Sequence, residues 1–91
     1  MTPDTRVFPA THQTAHYLEA SSRQFTRMYL TEADGVKFDP ALQISEVRPQ
    51  DPDSGNGIEL LVVSPSNWIM GIGIPELGLG QKPINITVKF L

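Results

Sequence analysis

The chain has no cysteine. That absence excludes a disulfide framework, thiol catalysis and a thiolate-held metal. Charge is also scarce: Asp, Glu, Lys and Arg make up 19% of the residues, below the roughly 25% of an average globular chain. The basic residues are scattered along the sequence and the net charge is −3. Nucleic acid and anionic membranes are bound through clustered Lys and Arg, so neither is expected as a partner. No long hydrophobic run is present. The stretch from Leu60 to Gly80 is nearly uncharged, but Pro65, Gly71, Gly73 and Pro75 break it too often for a spanning helix. The opening residues MTPDTRVFPATHQ lack the basic and apolar regions of a secretory signal. The expectation is a cytoplasmic protein.

Signs of catalytic machinery are equally sparse. Asp34, Asp39, Asp51 and Asp53 stand beside Gly, Pro or Ser, where Asp normally shapes a turn. Ser54, Ser64 and Ser66 lack the nucleophile elbow G-x-S-x-G. The GIG at 71–73 does not complete G-x-G-x-x-G, because Glu76 stands at the sixth position, and Lys82 is followed by Pro83 rather than Ser or Thr. DPDSGNG at 51–57 alternates oxygen-bearing residues as a calcium loop does. Counted from Asp51, however, the twelfth position is Val62 and not the bidentate Glu. The sequence predicts no enzyme and no cofactor.

What is present begins with THQTAHYLEA, residues 11–20. His12, His16 and Glu19 fall at i, i+4 and i+7, on one face of a helix. Paired histidines at that spacing hold zinc in several enzymes, but there a Glu follows the first His, and here Gln13 does. Residues seven apart on a helix are separated by roughly 10 Å along its axis, a long reach for one ion about 2 Å from each ligand. A solvated helix face is the better account. His12, His16 and Glu19 stay as the alternative, a small metal- or ligand-binding protein.

The chain otherwise reads as follows. Residues 1–10, with Pro3 and Pro9, form an irregular arm ahead of a single domain, 11–91. Thr11 caps a helix running to about Arg23, with Ala15, Leu18 and Ser22 or Phe25 as its apolar stripe. Strands are expected at about 25–31 and 36–39, joined by an Asp34-Gly35 hairpin turn. Pro40 implies a bulge or an edge before ALQISEV continues as a strand. RPQDPDSGNG at 48–57 is a loop. IELLVVS at 58–64 is apolar on both faces, as a strand packed on both sides would be. PINITVKFL alternates, with Ile84, Ile86, Val88 and Phe90 inward. The expected architecture is α+β: one N-terminal helix on a small, mostly antiparallel sheet of four to five strands.

Between the last two strands lies NWIMGIGI, with the only Trp of the chain. Trp68 to Ile74 reads as a strand bent at its glycines, and the residues after it as a long loop. Facing inward, Trp68 completes a small core. Facing outward, Trp68, Ile69, Met70, Ile72 and Ile74 make a partner-binding patch. A chain this short buries only roughly 60–65% of its unfolded surface and gains by oligomerising. The sequence therefore predicts a small protein-binding or assembly module, of the subunit, decoration or inhibitor type. Its expected partner is another protein or a copy of itself, reached through the apolar loop and a sheet edge at the C-terminal strand.

Overall fold

Thr11 opens the helix as expected. Its backbone is extended (φ −124°, ψ 164°) and its Oγ1 accepts from the Thr14 N–H at 3.2 Å, satisfying one of the donors a helix start leaves orphaned. In the computed structural model, which describes residues 4–24, 26–50, 56–75 and 84–91, helix α1 spans His12–Arg23. Thr14, Ala15 and Leu18 are its buried residues. Phe25, positions 51–55 of the expected loop and positions 76–83 after β5 lie outside the described residues, as do positions 1–3.

Around the helix are strands β1 (Asp4–Pro9), β2 (Met28–Ala33), β3 (Val36–Pro49), β4 (Asn56–Val63), β5 (Ile69–Pro75) and β6 (Asn85–Phe90). They form one six-stranded sheet in the order β1-β6-β2-β3-β4-β5, and every neighbouring pair is antiparallel. The expected sheet of four to five strands is therefore too small, and the expected irregular arm is part of the sheet. Residues 4–9 pair with the last strand, from Asp4 opposite Phe90 to Pro9 opposite Asn85.

Two prolines concealed β1. Pro9 ends an edge strand, and the Ala10 N–H bonds to the Ile84 carbonyl at 2.9 Å. Inward and outward backbone groups alternate along a strand, so Pro9 faces away from β6. Its missing N–H costs the ladder nothing.

The C-terminal strand, expected at an exposed edge, is internal: β6 lies between β1 and β2. Both flanking strands run antiparallel to it, so β1 and β2 are parallel and α1 is the crossover between them. Strands β2 to β5 then run as a meander. The Asp34-Gly35 turn is as expected, with positive φ at both residues (49° and 80°) and Ala33 opposite Val36, the geometry of a two-residue type I′ hairpin. The interruption expected at Pro40 is also present. Glu32 faces Lys37 but Leu30 faces Leu42, so β3 bulges there, with the Asp39–Pro40 peptide cis. Both ends of the loop expected at 48–57 are strand, since β3 runs to Pro49 and β4 starts at Asn56.

One face of the sheet meets the helix. There Met28, Leu30, Leu42, Ile44, Val47, Ile58, Leu60, Val62, Ile86 and Val88 are buried together with Ala15 and Leu18. Strand β4 was expected to have a layer on each side. Ile58, Leu60 and Val62 are fully buried, but Leu61 and Val63 on the opposite face are only half-buried. The one helix among the described residues covers the first face alone. A continuous apolar run does not distinguish two packed faces from one packed face beside a hydrophobic surface.

Candidate interaction edge

Strand β5 is one of the two edges of the sheet, and a tight turn delivers the chain to it. The Asn67 N–H donates to the Ser64 carbonyl at 2.9 Å, and the Ser64 N–H donates to the Trp68 carbonyl at 2.7 Å. Asn67 has φ 66°. This is a three-residue hairpin loop: a turn with Pro65 at its first central position, then a left-handed residue that makes a bulge. The Trp68 N–H also donates to Ser64 Oγ at 3.1 Å.

That closure fixes which way each backbone group of β5 points. Ser64 and Trp68 are a bonded pair, and bonded and non-bonded pairs alternate along an antiparallel ladder. With Val62 opposite Met70, Leu60 opposite Ile72 and Ile58 opposite Ile74, the backbone groups of Met70, Ile72 and Ile74 point into the sheet. Those of Ile69, Gly71 and Gly73 point outward. Pro75 follows in the outward set, so its missing N–H also falls on the free side.

The side chains sort differently from the expected patch. Ile74 is 5% exposed and belongs to the core, and Ile72 is half-buried against it. Trp68 is 72%, Ile69 65% and Met70 43% exposed. The core reading of Trp68 is thus overturned: the helix lies over β3 and β4, and nothing among the described residues covers the start of β5. Three adjacent large apolar side chains stand in solvent at a sheet edge. The SPSN turn that places them was legible in principle, because Pro suits its first central position and Asn tolerates a left-handed backbone.

The helix residues do not converge. The His12 Nε2 meets the carbonyl of Gln50. A carbonyl only accepts, so that nitrogen carries the proton and ties the start of α1 to the end of β3. His16 is exposed, and Glu19 pairs with Arg23 at 3.6 Å. Among the described residues no group of three His, Asp or Glu side chains is placed to hold a metal.

An open cleft of about 230 Å³ lies between β1 and the end of α1, against Phe90, below the usual 300–1,000 Å³ of small-molecule sites. Its cation is already engaged. Arg6 Nε donates to Asp4 Oδ2 at 2.9 Å, its Nη1 donates to the Tyr17 hydroxyl at 2.8 Å, and its guanidinium carbon lies 5.7 Å from the centre of the Phe90 ring. Hydrogen bonding and charge attraction from Asp4 hold the Arg6 pKa above its ordinary value. Glu46 does the same to Arg48 on β3. A guanidinium so occupied has little left for an incoming anion.

Among the described residues no helix is long and apolar enough to cross a membrane. No family model, curated protein or solved structure matches the chain.

Proposed function

We propose that the chain is a non-enzymatic protein-binding or assembly module that works through the outer edge of β5. The observation that carries this is the run Trp68–Ile69–Met70, exposed on the two faces of a strand whose outward N–H and C=O groups have no neighbour strand among the described residues. Partners add a strand to such an edge, with main-chain bonds giving affinity and flanking side chains giving specificity. The two edges differ in a way that favours this reading. On β1, Asp4 and Arg6 form an ion pair at 2.8 Å, and charge is a common guard against strand pairing. From Ser64 to Pro75 no residue is ionisable.

Replacing Trp68 by Ala tests the reading. An exposed interface residue changes folding stability by no more than about 0.5 kcal/mol, read by urea denaturation, while association weakens. A loss of about 2 kcal/mol or more would show that Trp68 supports the fold instead, and the reading would fail.

A further inference from the structure

We infer that the occupant of this edge is a second copy of the chain, paired β5 to β5 antiparallel about a two-fold axis at Gly71. The inference rests on the proposed reading of β5 as a binding edge, and names the partner.

The strand is complementary to itself in one register. Ile69, Gly71 and Gly73 turn both N–H and C=O outward, and Pro75 its C=O alone, so a partner strand must bond chiefly to the first three. Pairing Gly71 with Gly71 of the second copy sets Ile69 against its Gly73 and Gly73 against its Ile69. Every outward residue then meets an outward residue. A shift by two residues toward the C-terminal end places Ile69 opposite Pro75, which has no N–H to give. A shift the other way pairs Gly73 with Asn67, whose left-handed backbone (φ 66°) has left the strand conformation.

The side chains agree with that register. On the face away from the helix, the exposed Ile69 lies opposite a glycine, large against small, and the two glycines at the axis allow the backbones to close. On the helix-side face Met70 lies opposite the half-buried Ile72 of the second copy, while Trp68 falls at the end of the paired stretch, beside its buried Ile74. Apolar cross-strand pairs of this kind are what stabilise a sheet.

Charge raises no barrier. The edge carries none, and the nearest acid, Glu59, faces Gly73 with Arg48 at 3.9 Å. The exposed parts of Trp68, Ile69 and Met70, with the bare strand backbone, offer on the order of 500 Å² per copy, the low end for a specific interface. The expected assembly is therefore a concentration-dependent dimer. The contact uses the same patch twice and closes on itself, ending β5's role as a free edge.

Gly71 provides the test. A Cβ built there meets Leu61 Cδ2 at 3.6 Å and Glu59 Oε2 at 4.0 Å, ordinary contacts, so Gly71→Lys fits the single chain. In the dimer the two lysines face each other across the axis, and like charges directly opposite weaken pairing. Mass by light scattering over roughly a hundredfold concentration range should rise to twice the chain mass for the wild type, and the dissociation constant of Gly71→Lys should be raised by about tenfold or more. Amide exchange gives a second reading on the wild type alone. With rising concentration the Gly71 and Gly73 amides gain protection, while those of Met70 and Ile72, already bonded to β4, do not change.

A wild type that stays monomeric with freely exchanging Gly71 and Gly73 amides overturns the self-pairing. So does a dimer that survives Gly71→Lys and leaves those amides open. If Gly71→Lys does not fold, the wild-type exchange decides by itself. The broader reading of β5 is judged separately by the stability of Trp68→Ala: self-pairing can fail while that reading stands, with a foreign strand as partner.

Discussion

Ser64 and Trp68 hold each other twice. The Ser64 N–H donates to the Trp68 carbonyl at 2.7 Å, and the Trp68 N–H donates to Ser64 Oγ at 3.1 Å. The backbone of Trp68 is thereby fixed at the entry to β5, while its side chain stands 72% exposed. Ordering a chain segment costs conformational entropy, which core residues recover through burial. Trp68 is ordered without that return, which suits a side chain held ready for a partner better than one that completes a core.

The turn that does this depends on one left-handed residue. Asn67 sits at φ 66°, where a β-branched side chain clashes with its own backbone. Asn67→Val is expected to destabilise the fold by about 1–2 kcal/mol, and Asn67→Gly by no more than a few tenths. Urea denaturation of both variants checks this. Equal effects would mean that the turn does not rely on that backbone conformation.

The parts of this architecture that were legible before the structure are those where local rules and tertiary packing agree. Thr11 as helix cap, the Asp34-Gly35 turn and the alternation of Ile84, Ile86 and Val88 each follow from a signal within a few residues. The misread parts depend on position in the sheet. Pro9 looked like a strand breaker because sequence does not say which side of the strand its missing N–H faces. Gly71 and Gly73 read as bends because glycine inside a strand often marks a bulge or a bend, yet both sit in edge strand β5. The place of β6 between β1 and β2 arises from pairing across nearly the whole chain, Asp4 with Phe90, which no local pattern carries. Trp68 was ambiguous because an aromatic beside isoleucines reads alike in a core and at an interface. Ile74 belongs to the core rather than to the exposed patch, because burial along β5 changes over a few residues.

The two histidines on α1 separate in function by what each touches. His12 spans from the first residue of the helix to the Gln50 carbonyl at the end of β3, whereas His16 points into solvent. His12→Ala should cost about 1 kcal/mol or more, since the Gln50 bond alone is worth about that much, and His16→Ala less than about 0.5 kcal/mol. Zinc added to the wild type should leave its melting temperature unchanged, because ligand binding to the folded state alone would raise it. A zinc-dependent rise that both alanine variants abolish would restore the metal reading of His12, His16 and Glu19.

Thr31 marks the point where β2 keeps two different registers at once. Between Leu30 and Glu32 it is the extra residue relative to β6, where Val88 and Thr87 are adjacent, and it also faces the bulge of β3 around Pro40. A bulge leaves a backbone group without its ladder partner, and here the Thr31 Oγ1 donates to the Thr87 carbonyl at 3.1 Å. Thr31→Val keeps the shape and removes the donor, so it should destabilise by about 1 kcal/mol and speed amide exchange in β6 beside the bulge. Thr31→Ser keeps the donor and removes a methyl from a half-buried site, so its loss should be smaller. If Ser proved the worse substitution, packing of the methyl rather than the hydroxyl bond would be what holds β2 and β6 together there, and the bulge would be tolerated rather than bonded.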